Sequence, residues 1–237
     1  MAKHDIYVEP FGGAASVLLN KPRAELEIYN DLNPNIANLM RFIRDEHDHL
    51  VDNLRSIPCE EKVYYEWKEK VTNEPFECAI RCFVLLRMSR GGTATTFSKS
   101  KRTYRGLPEN VAAWDTGISN LQKVSDRLKG VEIKNQDALQ LLKDFSSPNA
   151  LWYLDPPYVA ASRKNAKVYE IEMANESHQE LSRLCHLSKS NILLSGYESD
   201  LYSTLFADWT CEKKAQYLHG GHGRQKQLTN EVLWKNF

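Results

Sequence analysis

Ala150-Leu151-Trp152-Tyr153-Leu154-Asp155-Pro156-Pro157-Tyr158 is a short, aromatic-rich apolar run closed by one acidic residue and two prolines. A run of this length and composition predicts a buried β-strand, and Pro156 ends it because proline cannot donate to a sheet ladder. Asp155 then stands at the carboxyl end of a strand, the edge at which open α/β sheets bind ligands. The two prolines remove two backbone donors and fix two φ angles, so the carbonyls of Asp155 and Pro156 become rigid acceptors beside a carboxylate. A pocket built only of acceptors wants a donor. An amino group fits, either the exocyclic amine of a nucleobase or a side-chain amide, with the Tyr158 ring available to lie against a flat substrate.

Upstream, Ile6-Tyr7-Val8 predicts a first strand, followed by Glu9-Pro10-Phe11-Gly12-Gly13-Ala14-Ala15-Ser16 and the apolar Val17-Leu18-Leu19. Strand, glycine turn and a helix that begins on small residues let a backbone come close to a nucleotide-like ligand. The turn lacks the three-glycine dinucleotide fingerprint, which disfavours a nicotinamide oxidoreductase. Glu25 to Tyr29 alternates like a second strand and ends in Asn30-Asp31-Leu32-Asn33. Asp31, about twenty residues after the glycines, is placed to accept hydrogen bonds from ribose hydroxyls; the alternative is a cap on a helix that starts at Pro34. Val131 to Lys134 predicts a third strand, with Asp137 at its end and a helix beyond. Carboxylates at 31, 137 and 155 therefore fall at three strand ends. Downstream come a helix from about Glu176 to Leu187, the strand Ile192 to Ser195, a helix from Asp200 to Phe206, and a strand pair, Trp209 to Ala215 with Asn230 to Leu233.

Between the second and third strands, apolar residues recur at helical spacing from Asn35 to about Gly130, too long for one crossover and read as a helical insertion. Inside it, Arg87, Arg90, Lys99, Lys101, Arg102 and Arg105 form a cluster of six cations with no acidic residue from 87 to 105. A DNA-contacting hairpin or loop is the functional reading: lysines meet phosphates, an Arg, Thr or Ser reaches base edges, and Phe97 wedges.

The rest of the chain gives no global field that announces such a partner, because Lys+Arg and Asp+Glu balance at 31 each among 237 residues. A hydrophobic content of 42% allows a sizeable core. The five cysteines show no Cys-x-x-Cys pair and read as core thiols of a reducing cytoplasm. No secretory signal or membrane span is expected. His219 and His222 lack the companions of a metal site, so none is expected.

Tyr7 to Ser16, Tyr29 to Asn33, Gln136-Asp137-Ala138, Asp155 to Tyr158, Ser195-Gly196-Tyr197 and Glu231 to Trp234 together resemble, in order and over nearly the whole chain, the Dam-like, D12-class DNA N6-adenine methyltransferases. The resemblance implies an α/β fold: a doubly wound S-adenosylmethionine-dependent methyltransferase sheet from 1–34 and 131–237, with a helical target-recognition insertion over 35–130. It implies S-adenosylmethionine as methyl donor and double-stranded DNA as partner in a cytoplasmic protein. Glu9, Phe11, Gly13, Asp31, Asp137, Ala138 and Asp155 would serve the donor. Asp155, Pro156 and Tyr158 would hold a flipped adenine, whose N6 attacks the sulfonium methyl without a metal or covalent intermediate. Cytosine N4 suits the same acceptors. Family members usually carry a Gly-Gly-Lys element before the first strand, whereas ten residues precede Phe11 here; donor binding of reduced affinity is the expectation. Competing readings are a catalytically weak DNA-binding homologue and an amide or protein-glutamine methyltransferase. Recognition sequence, oligomeric state and purpose, restriction-modification or otherwise, are not written in the chain.

Overall fold

The computed structural model describes residues 2–100, 102–104, 106–159, 173–217 and 228–237. The chain forms two compact units, Met1–Leu32 with Lys134–Phe237, and Asn33–Ile133.

The first unit is built on a seven-stranded sheet in the order β5-β2-β1-β6-β7-β9-β8. Its strands are β1 (Ile6–Glu9), β2 (Leu26–Asn30), β5 (Glu132–Lys134), β6 (Ala150–Leu154), β7 (Asn191–Tyr197), β8 (Thr210–Tyr217) and β9 (Leu228–Lys235). Numbers three and four belong to a short hairpin in the other unit. β1 pairs in parallel with β2 and β6, and β6 with β7, while β9 runs antiparallel to both β7 and β8. From β1 the chain first winds outward through β2 to β5 and later returns to β6 and β7. The order therefore reverses between β1 and β6, and the carboxyl ends of these two strands are where open sheets of this kind bind ligands.

Strand alternation gives the sheet two unlike faces. Val8, Ile28, Trp152, Leu154, Ile192, Leu194, Val232 and Trp234 share one apolar core with residues of α8 (Ala138–Asp144), α9 (Asn175–Leu187) and α10 (Asp200–Leu205). Trp152 is fully buried at its centre, which is why the β6 run is apolar without a break. The other face carries Tyr7, Glu9, Glu27 and Tyr29 near the short α1 (Ser16–Asn20). Here Lys21 and Glu27 form a buried ion pair at 2.6 Å, with the ammonium 4.3 Å from the centre of the Tyr7 ring. Burying both charges costs desolvation, which the cation–π contact and a hydrogen bond from Ala24 N to Glu27 help offset.

The second unit is helical: α2 (Pro34–Asp45), α3 (His47–Arg55), α4 (Glu61–Glu69), α5 (Pro75–Met88), α6 (Glu109–Ser119) and α7 (Leu121–Leu128). α5 buries residues on nearly all sides, from Ala79 to Met88, and so forms the axis of the unit. Pro75 starts it, and the Glu74 carboxylate caps the freed N–H groups of Phe76 and Glu77. A one-turn 3₁₀ segment, Arg90–Gly92, follows α5, and β3 (Thr103–Tyr104) pairs with β4 (Leu107–Pro108).

All five cysteines are free thiols. Cys82 and Cys185 are buried, and Cys59 and Cys78 are half-buried. Cys211 corrects the expectation of core thiols: it is exposed, on the edge strand β8. Among the described residues no helix is long and apolar enough to cross a membrane, and no group of three His, Cys, Asp or Glu could hold a metal ion. His219 and His222 lie outside the described residues.

Candidate active site

The turn after β1 is fixed from beneath. Tyr29, fully buried on β2, donates its hydroxyl to Gly13 O at 2.7 Å, and its ring lies where a Gly12 side chain would be. A Cβ at Gly12 would stand 2.1 Å from the Tyr29 ring, so only glycine fits. Gly13 has φ +47, and among the described residues nothing lies within 4 Å of where its Cβ would stand. Phe11 is half-buried at the same turn.

Asp31 does not cap α2. Asn33 does so, accepting from Asn35 N at 2.9 Å ahead of Pro34. The Asp31 Oδ2 instead accepts from Gly13 N at 2.7 Å, tying the end of β2 to the glycine turn. Asn30 does more than its place in the sequence suggests. Fully buried, it donates to Pro10 O and Gln136 O and accepts from Gln136 N, so one amide clasps the tips of β1, β2 and β5. Asp137 is exposed and caps α8, its Oδ1 accepting from Gln140 N at 2.9 Å, while Ala138 is buried in the first turn.

Glu9 is only 2% exposed, and its Oε2 accepts from the Tyr7 hydroxyl at 2.8 Å and from Leu18 N at 2.9 Å. Burial pushes its carboxyl up to about 7, helped by the negative charge of Asp155 and opposed by the two hydrogen bonds and by Lys21. Burial and the adjacent Glu9 push the Tyr7 phenol far above its ordinary range.

Across the switch point from β1, β6 delivers the tetrapeptide. Asp155 is exposed, Pro156 buried, and Pro157 and Tyr158 half-buried. Ser195 Oγ donates to Asp155 Oδ1 at 2.7 Å, a charge-assisted bond from the neighbouring strand. The Tyr158 and Tyr197 rings meet edge to face, centroids 4.6 Å apart at 63°. Among the described residues no group donates to the Pro156 carbonyl. Tyr153, the residue before Leu154, has its phenol pushed up to about 12 by burial and by the charges of Asp155 and Glu9. An exposed carboxylate and a rigid carbonyl at the same strand end can both accept from one amine, across the sheet's switch point from a glycine turn.

A family model describing the D12 class N6 adenine-specific DNA methyltransferases matches residues 1–219. The chain belongs to this family. It is thus a DNA adenine methyltransferase, a transferase acting on DNA, and the parallel-rich sheet is the fold such enzymes use. The family's methyl donor is in general S-adenosylmethionine. No curated protein was found to match the chain.

The cationic cluster of this methyltransferase lies in the helical unit, where the structure gives its members different surroundings. The loop after α5 is closed by Arg90 N to Thr96 O at 2.9 Å and Ser98 N to Met88 O at 2.8 Å, with a bridge between Ser89 and Phe97. Phe97 is half-buried with its ring 5.8 Å from Tyr64, a contact that ties the loop to α4. Arg87 donates to Ala113 O at 2.7 Å, and a Cβ on Gly117 would lie 2.5 Å from its Nε; it clamps α5 to α6. Lys99 is ion-paired with Glu61 at 2.7 Å. Arg90 and Arg102 are exposed. Lys101 and Arg105 lie outside the described residues.

Asn30, Ser195 and Tyr197 are the site residues that sequence reasoning did not assign a role. Ser195 and Tyr197 stand two apart on β7 and so face the same way, but the predicted strand, Ile192 to Ser195, stops short of Tyr197.

Proposed function

We propose that this methyltransferase acts on duplex DNA and methylates the N6 amine of an adenine turned out of the helix, with S-adenosylmethionine held over the β1 turn. The observation that carries the reading is the exposed Asp155 carboxylate beside the Pro156 carbonyl at the β1/β6 switch point. N6 is buried in a duplex and its lone pair is spread into the ring, so the base must leave the stack. Asp155 and the Pro156 carbonyl accept its two N–H groups, which draws the lone pair out of conjugation and aims it, while the Tyr158 ring supports the base plane.

The residues present suit the donor. The open space at Gly13 and the half-buried Phe11 support a donor lying there; Asp31 would accept from its ribose, and Asp137 with Ala138 N would bind its adenine. Bound there, the donor supplies a methyl group on a sulfonium centre. Glu9 and Asp155 place negative charge near that cation.

We assign target recognition to the helical unit, proposing 35–130 as the DNA-binding insertion and 1–34 with 131–237 as the catalytic part. The compact unit Asn33–Ile133 and its basic loop support this. The cytoplasm, on the nucleoid, follows as the proposed location.

Incubation with methyl-labelled donor and unmethylated duplex DNA, followed by digestion to nucleosides, tests the reading. Label in N6-methyladenine is expected. Label in N4-methylcytosine, label in protein, or DNA retention without label would each overturn it. In the same assay, Arg90→Ala with Arg102→Ala is expected to lower the slope of log affinity against log salt by about 2, roughly one unit per lost phosphate contact. An unchanged slope moves the phosphate-binding surface elsewhere.

A further inference from the structure

Strand β7 contacts two side chains of the tetrapeptide, Asp155 and Tyr158. In the parallel register Leu154 pairs with Leu194, so the next residues, Asp155 and Ser195, come abreast. Ser195 is 3% exposed, and its hydroxyl takes up one carboxylate oxygen of Asp155 at 2.7 Å. Two residues on, Tyr197 is half-buried and sets its ring against Tyr158 at 4.6 Å. Gly196 between them faces the opposite way, where a Cβ would lie 3.4 Å from both Trp234 and Tyr202. A larger residue there would push on the core and shift its two neighbours. The core side of β7 thus seats the strand and the opposite side orients the target pocket.

We infer that Ser195 and Tyr197 are positioning residues for methyl transfer: Ser195 holds Oδ1 of Asp155 so that Oδ2 faces the amine, and Tyr197 sets the plane of the Tyr158 ring. The inference rests on the adenine reading above. A carboxylate with two equivalent oxygens and a free χ2 can swing between partners. With Oδ1 engaged by a buried donor, the rotamer is fixed before the base arrives, and the second oxygen and the Pro156 carbonyl form a two-point acceptor of set geometry. Stacking on Tyr158 is specific only if that ring does not tilt, and the edge-to-face contact with Tyr197 limits the tilt.

The test compares Ser195→Ala, Ser195→Thr, Tyr197→Ala and Tyr197→Phe with the wild-type chain, using duplex DNA and labelled donor and measuring kcat, KM for DNA and thermal midpoint. Ser195→Ala is expected to lower kcat about 100-fold, the scale of loss when a reacting group is slightly misplaced, with KM for DNA changed less than about 3-fold. Ser195→Thr restores the hydroxyl and is expected to return kcat to within about 5-fold of wild type; Tyr197→Phe keeps the ring and the rate, and Tyr197→Ala does not. A merely structural role would move the thermal midpoint and leave the ratio of kcat to KM effects flat. Wild-type transfer with an unaffected Ser195→Ala, or a folded Ser195→Thr that fails to recover while Tyr197→Ala stays active, overturns this inference alone. Absence of label in DNA from the wild type overturns the adenine reading and this inference together.

Discussion

Asp155→Ala is expected to reduce methyl transfer by about 1000-fold or more while DNA retention stays within about threefold of wild type, as befits a group acting on the reacting amine and not on the phosphate backbone. The side chain is exposed, and among the described residues Ser195 donates to it, so removing it leaves the apolar core around Trp152 intact. What goes is the carboxylate to which we assign acceptance of an N–H and polarisation of the amine toward nucleophilicity. Asp155→Asn separates the two contributions. The amide oxygen can still accept, but the negative charge is gone and its NH₂ group has nothing to donate to on an amine. An intermediate loss is expected. Single-turnover transfer measured beside filter retention of the same duplex decides the matter: an Asp155→Ala chain that transfers at the wild-type rate would remove Asp155 from the mechanism, and one that loses DNA retention in parallel would make it a DNA contact.

The scaffold of this site was legible because it is written in local chemistry. The β6 run had to be a buried strand, Pro156 had to end it, and the glycines after β1 had to mark a turn with close backbone approach. The choice between ligand and cap for Asp31 was open in the sequence. Asn33, with a short polar side chain and proline behind it, satisfies the helix start and releases Asp31 to accept from Gly13 N. What stayed hidden depends on register between segments far apart in sequence. Ser195 reaches Asp155 across 40 positions, and Asn30 reaches Gln136 across 106; no periodicity within either segment carries that information. The basic loop shows the same limit from the other side. Its charge was visible in the composition, but Glu61, which engages Lys99, and Tyr64, which faces Phe97, sit on the upstream helix α4, so the surroundings of each side chain could not be counted from the run itself.

Glu9→Gln is expected to remove a loss of stability that the wild-type protein undergoes between pH 5 and pH 8. The carboxyl ionises at about 4.5 in the unfolded chain, and burial raises it to about 7 in the folded one. Between those values the native state holds a proton that the unfolded state has released, so stability falls as pH rises. The contribution of Glu9 is fully present below about 4.5 and gone once pH passes about 7, a difference on the order of 3 kcal/mol. Glutamine keeps an oxygen that can accept from the Tyr7 hydroxyl and Leu18 N, and it does not ionise. His186, raised by its bonds to Ser182 O and Asp208, titrates in the same direction in both proteins and cancels in the comparison. Urea unfolding of the two chains at pH 5 and pH 8 measures the difference, and parallel pH profiles would show that Glu9 is not its source. A positively charged donor bound nearby favours the ionised carboxylate, so saturating S-adenosylmethionine should flatten the fall in wild-type stability, and donor affinity should rise through pH 7. In Glu9→Gln neither effect has a proton to work through. The opposite pH slopes of folding and donor binding would mark Glu9 as the group that holds the turn when the site is empty and answers the donor's charge when it is filled.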